Sequence, residues 1–269
     1  MFAVVLGLAA ARRPSLSGWP PGMAFDNPSN LLQRVVIIEE YKLLFCKIEK
    51  VADEAFTGLL QHMTDNSNRF RWGVNTPRSK NWTKAMLEDA LADPAWHKAV
   101  FFREPMERFL SGFRSKCEAG HDRDGQQHCE HAFGTGVYNT TTGFQTAVER
   151  LAARPSNQPM DEHWEHQGRF CGGLEDTLPH YNTVEQLDPA SSRQKVIQLF
   201  KDLGVANPPA KIKTLNKWFP DQHGRESAHL THAGAAMKQY YRSAELVDAV
   251  TDYYKQDYIL FNISPPFVL

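Results

Sequence analysis

Residues 42–63 read KLLFCKIEKVADEAFTGLLQHM, and their order decides the fold. KLLFCKIE is a short apolar run of strand length, after which Phe56, Leu59, Leu60 and Met63 recur at i, i+3, i+4 and i+7, the spacing of one helical face. The stretch predicts a strand, a tight turn around Lys50 and an amphipathic helix. Residues 99–113, AVFFREPMERFLSGF, repeat the plan: a buried strand, Pro105 at the first helical position, and a stripe of Met106, Phe109, Leu110 and Phe113. Two successive strand-to-helix units imply an α/β fold with a parallel sheet flanked by helices. In such sheets a ligand lies beyond the carboxyl ends of the strands, where helix N-termini offer unpaired N–H groups. The turns at Lys50 and Arg103 are therefore candidate anion sites.

Working outward, MFAVVLGLAA at residues 1–10 is apolar but too short for a membrane span, and residues 14–30 are rich in Pro, Gly, Ser and Asn. Residues 1–33 read as a poorly ordered leader or linker and residues 34–269 as a single domain. Between residues 117 and 170 the periodicity breaks, with one helix expected at 144–151, as in an elaborated segment covering a site. YNTVEQL then reads as a strand, and Val196, Leu199, Phe200 and Leu203 as a helix ending at Gly204. Residues 205–235 are loop-like, and a final helix carries Leu246, Val250, Tyr253 and Tyr254.

The 269 residues are 42% hydrophobic and 23% charged, ordinary for a chain with a sizeable core, which excludes disorder, collagen and coiled coil as descriptions of the whole. Thirty basic against 31 acidic residues give a net charge of −1, so no nucleic-acid footprint is expected and any anion must be met by local groups. The turn at Lys50 lacks G-x-x-x-x-G-K-[ST], so a nucleotide triphosphatase loop is absent. Arg103 can hold a phosphate bidentately with the Ser111 hydroxyl completing the cradle; the competing reading pairs Arg103 with Glu104 or Glu107 and turns Ser111 to solvent. His121, His128, His131, His163 and His166 cluster in sequence with Cys117, Cys129 and Cys171, but without the paired spacings of structural zinc.

Together the two units resemble the carbohydrate sulfotransferase family, which uses 3′-phosphoadenosine 5′-phosphosulfate. CKIEKVADEAF is similar to the family's C-x-I-P-K-V-A-C-T-x-W, and FFREPMERFLSGF to V-R-D-P-F-E-R-L-L-S-A-Y. DEHWEHQGRFCGGL resembles the later H-W-x-P-Q-x-x-x-C segment and YYKQDYILFNI the closing Y-x-x-D-x-x-x-F element. The four stand in the family's order between residues 42 and 263.

The resemblance implies a P-loop-like sulfotransferase fold and a sulfotransferase moving a sulfuryl group to a glycan or glycoprotein hydroxyl, with no metal. It implies Lys50, Val51 and Ala52 at the 5′-phosphosulfate and Arg103 and Ser111 at the 3′-phosphate. Arg225, His229 and Thr231 would close over the nucleotide. His163 is the expected base, Glu54 its competitor, and the alternative for His163 is packing beside Trp164. Glu49, Asp53 and Glu54 stand where the family carries Pro, Cys and Thr or Ser; a carboxylate about 4 Å from the donor would oppose it by about 4 kcal/mol. A catalytically weak binding protein and, further off, a zinc hydrolase are the competing classes. Three sequons, at Asn81, Asn139 and Asn262, point to the secretory route and the Golgi lumen, with any membrane tether at the N-terminus. At least one disulfide is expected among Cys117, Cys129 and Cys171, with Cys46 a buried thiol.

Overall fold

The computed structural model describes residues 30–64, 73–118, 123–155, 157–205, 215–220 and 232–266. Four strands, β1 (Val35–Ile38), β2 (Leu43–Cys46), β3 (His97–Phe102) and β4 (Thr183–Gln186), form one sheet in the order β1-β2-β3-β4. β2, β3 and β4 are parallel, with Leu43 opposite His97 and Ala99 opposite Thr183. The strands of the expected units are thus parallel, and β1 adds an antiparallel edge to β2, Val35 opposite Cys46. The tight connection at residues 39–42, closed by a left-handed Lys42, permits only an antiparallel return.

Both strand-to-helix units form as their periodicity dictates. Phe56, Leu59, Leu60 and Met63 bury one face of the Asp53–Thr64 helix against the sheet, where Phe45, Phe56 and Phe101 lie 4.6 to 6.2 Å apart ring to ring. Pro105 opens the Pro105–Lys116 helix, and the Glu104 carboxylate caps it by accepting from Met106 N at 3.1 Å and Glu107 N at 2.7 Å. The stripe of this second helix faces a separate apolar cluster with Trp164, Tyr241 and Tyr254. The Ser192–Asp202 and Ala244–Tyr253 helices also stand where the sequence places them.

The described residues between 117 and 170 hold two α-helices rather than one. Gly143–Ala152 is the expected element, and Arg123–Phe133 is additional. RDGQQHCEHAF offers few apolar residues for a stripe, and a disulfide from Cys129 to Cys117 (Cα–Cα 5.8 Å is the span of the other bridge; here 5.2 Å) fastens it to the preceding helix. Cys46 is no free thiol: it is bonded to Cys171, 125 residues away, so the end of β2 is stapled to the segment around Trp164. Periodicity could place Cys46 in a buried strand but could not see that Cys171 lies beside it. Among the described residues no helix is long and apolar enough to cross a membrane.

Candidate active site

The turn after β2 carries two left-handed residues, Lys50 (φ 66°) and Ala52 (φ 50°), directly before the first turn of the Asp53–Thr64 helix. Left-handed residues alternating with ordinary ones turn successive amides to one side, and the helix N-terminus adds amides that have no intrahelical acceptor. Val51 N donates to the Ile48 carbonyl at 3.3 Å, so the amides of the first helical turn are the ones an anion could meet. Lys50 is half-buried and Val51 is buried.

The three acidic departures take different roles. Glu49 is buried and ion-paired to Arg34, with Lys47 Nζ at 3.5 Å; burial pushes its carboxyl up, but the two cations outweigh that and hold it well below the usual range. Asp53 is raised to about 8 by burial first and by the Glu49 charge second, and the two side chains share a hydrogen bond. Asp53 is thus the protonated member at neutral pH, and the repulsion expected from a charged Asp53 is absent. Glu54 lies half-buried in the first helical turn.

Arg103, at the end of β3, donates to the Lys50 carbonyl at 3.3 Å and pairs with Glu107 at 2.6 Å, so the two turns meet and the Glu107 pairing is realised. Ser111 is buried two turns along the same helix rather than facing solvent. Arg225, His229 and Thr231 lie outside the described residues.

Sequence reasoning missed the groups that hold these parts together. Arg108, 1% exposed, donates to three carbonyls: Nε to Glu49 at 2.8 Å, Nη1 to Glu165 at 2.7 Å and Nη2 to Glu162 at 3.0 Å. Buried Gln167 grips the main chain of Arg103 from both sides, accepting from its N–H and donating to its carbonyl, each at 2.9 Å. Asp257 in turn accepts from the amides of Gln167 at 2.9 Å and Gly168 at 3.0 Å, and the Tyr254 hydroxyl donates to the Trp164 carbonyl at 2.5 Å. Every one of the four sequence segments is therefore fastened to another. Gly112 is needed where Trp164 crosses the helix, since a Cβ there would sit 2.6 Å from the indole nitrogen. The available signal was that Arg108, Gln167 and Asp257 all stand inside the quoted motifs.

His163 faces a buried polar cluster rather than merely packing on Trp164. Its Nδ1 lies 2.7 Å from Asp161 Oδ1, while His128 Nδ1 lies 2.7 Å from Asp161 Oδ2 and His131 Nδ1 at 3.5 Å. Burial would raise the Asp161 carboxyl, but the surrounding histidines hold it well below its usual range. An ionised carboxylate can only accept, so His163 donates from Nδ1 and keeps Nε2 basic. Burial pushes His163 down to about 4, leaving it neutral at physiological pH. His128 moves the other way: burial is the largest single influence and lowers it, but the bond to Asp161 together with the Asp161 and Glu162 charges raises it. Lys50 adds to the electrostatic field at His163, which joins this cluster to the anion-binding turn.

Comparison with known proteins bears on this geometry. The sulfotransferase family model matches residues 33–264. The chain is 23% identical over 261 residues to carbohydrate sulfotransferase 9 of Homo sapiens, an alignment covering 88% of this chain and 54% of that protein. It is 24% identical over 263 residues to carbohydrate sulfotransferase 8 of Mus musculus, covering 88% and 58%. The chain spans about half the length of the curated relatives it matches. No solved structure matches.

Proposed function

The chain belongs to the sulfotransferase family, and we propose on that basis that it moves a sulfuryl group from 3′-phosphoadenosine 5′-phosphosulfate to a hydroxyl of a carbohydrate acceptor. The observation that carries the reading is the turn at Lys50: left-handed backbone, a helix N-terminus and an ammonium converge there. These residues fit a 5′-phosphosulfate. When bound, the donor supplies an activated sulfuryl group on a phosphate leaving group.

The chain's own residues then divide the work. Lys50, the Ala52 amide and the amides of the first helical turn stabilise charge developing on the leaving oxygen, while the Val51 amide holds the turn through the Ile48 carbonyl. Arg103 exchanges Glu107 for the 3′-phosphate, with Ser111 on the same helix and Arg225 and Thr231 closing over the nucleotide. His163 takes the acceptor proton at Nε2, and Asp161 fixes its tautomer. Glu54, in the first turn of the helix, is the competing base. No step in this scheme calls on a metal.

A glycan or glycoprotein acceptor is supported by the names of the relatives. A Golgi-lumen location is supported by two disulfides, which persist in oxidising compartments, and by the sequon residues Asn81, Asn139 and Asn262, all exposed. The apolar residues 1–10, the candidate membrane tether, lie outside the described residues. The binding-protein reading has Asp53 and Glu54 in its favour, two carboxyl residues at the start of the helix that follows the Lys50 turn. The deciding experiment is transfer of labelled sulfate from the donor to a panel of glycans, paired with calorimetric titration of 3′,5′-bisphosphoadenosine. Binding with transfer supports the enzyme; binding without transfer to any acceptor supports the binding protein; neither refutes both.

A further inference from the structure

We propose that His128, Asp161, Glu162 and His163 form a binding site for one divalent transition-metal ion, zinc being the best match, and that occupancy of this site switches transfer off. One ligand atom from each of the four residues lies within 4.8 Å of all the others, and all four residues are buried. Tetrahedral zinc at about 2.0 to 2.2 Å from its ligands separates them by about 3.3 to 3.6 Å, so side-chain adjustments of about 1 Å complete the shell. Two imidazoles with two carboxylates favour zinc over the oxygen-seeking calcium and magnesium.

A second observation points to a ligand. Glu162 is 8% exposed, yet its Oε2 has no hydrogen-bond partner, while its Oε1 stands 4.0 Å from His128 Nδ1. A buried carboxyl oxygen left without a partner is costly, and a cation among these ligand atoms would satisfy it, displacing any proton the group holds. The site is also held from outside. The Cys117–Cys129 disulfide anchors the residue next to His128, and His131 lies 3.5 Å from Asp161. Asp124, its side chain 66% exposed, lies 3.7 Å from His128 Nε2 and marks the solvent side through which an ion would arrive. Lys116 and Lys50 are the opposing cations, and Lys116 is bonded to Asp124 at 3.0 Å. The zinc spacing rules fail here because the site joins a helix to a distant turn.

Binding itself does not depend on the reaction. The inhibitory consequence rests on the reading of His163 as base, since an ion that holds His163 takes the group that must receive the acceptor proton. The test is equilibrium dialysis of the chelator-treated protein against zinc chloride, followed by cobalt(II) substitution and visible absorption. Expected are one zinc per chain, a tetrahedral cobalt spectrum, and affinity weakened at least tenfold by His128→Ala and by the near-isosteric Glu162→Gln but not by His180→Ala at an exposed histidine. Absence of stoichiometric binding, or equal binding by all variants, overturns the site. Zinc bound without loss of sulfate transfer overturns the inhibitory role and with it the assignment of His163 as base, while leaving the metal site standing.

Discussion

Replacing Arg108 with lysine perturbs the joint between three of the four motif segments. The guanidinium makes three charge-assisted bonds to buried carbonyls, at 2.7, 2.8 and 3.0 Å. Each is worth about 1.5 to 3 kcal/mol, and a buried carbonyl left without a donor adds to the loss. A lysine ammonium keeps the charge but cannot span the three acceptors that the planar fork reaches. Losing one or two of the bonds, with partial relaxation, gives an expected destabilisation of about 2 to 4 kcal/mol. A domain holding about 5 to 15 kcal/mol survives that change, whereas Arg108→Ala removes charge, bonds and packing together and is expected to leave little folded protein. Urea unfolding followed by tryptophan fluorescence measures the effect, as a midpoint lowered by about 1 to 2 M for an ordinary slope. The Lys50 turn and the Glu162–His163 segment should also shift apart, so the lysine variant should lose sulfate transfer under conditions where it is still folded. A destabilisation below about 1 kcal/mol, with transfer intact, would refute the view that Arg108 holds the site together.

Asp53, protonated up to about pH 8, should ionise above it and place a charge beside the anion site. Affinity for 3′,5′-bisphosphoadenosine should therefore fall as pH rises through about 8 in the wild type and stay flat in Asp53→Asn; parallel profiles would show that Asp53 is already charged. The same sign applies to folding: with its pKa raised from 3.8 to about 8, Asp53 contributes stability that is full below about pH 4, declines as pH rises and is lost above about pH 8. Removing the Cys46–Cys171 bridge with paired serine substitutions should destabilise the fold by about 2 to 5 kcal/mol, given its long loop, and an unchanged urea midpoint would deny it a structural role. When the chain is made in a secretory host, enzymatic deglycosylation should lower its mass, and single Asn→Gln changes at 81, 139 and 262 should each remove one glycan; a mass that does not change would count against a lumenal location.

The elements were legible wherever a local pattern carried them. Leu43 to Met63 and Ala99 to Phe113 show their strand and helix in the spacing of apolar residues, because the first helix buries one face against the sheet and the second against the separate cluster around Trp164. The Arg123–Phe133 helix was hidden because its buried face, Gly125, His128, Cys129, Ala132 and Phe133, is mostly small or polar, and β1 because its direction depends on a turn rather than on its four apolar residues. In the candidate site, Lys50 and Arg103 were visible at strand ends, and the structure brings them into contact. Their setting was not visible. Glu107, four residues on, was among the pairings open to Arg103, but that Glu49 and Asp53 share a hydrogen bond and that His128 meets His163 across Asp161 are electrostatic or long-range facts that one-dimensional spacing does not encode. Arg108, Gln167 and Asp257 show the same limit: each was present in a motif, but its role is to hold another motif's backbone.

The central claim is that the turn at Lys50 stabilises a leaving phosphate during sulfuryl transfer. It is tested most directly by comparing wild type with Lys50→Ala for transfer of labelled sulfate from the donor to an accepting glycan at saturating donor. Lys50→Ala should lower kcat by about 100-fold or more while changing 3′,5′-bisphosphoadenosine affinity far less, as for an interaction made mainly in the transition state. Equal kcat in the two proteins would contradict the account.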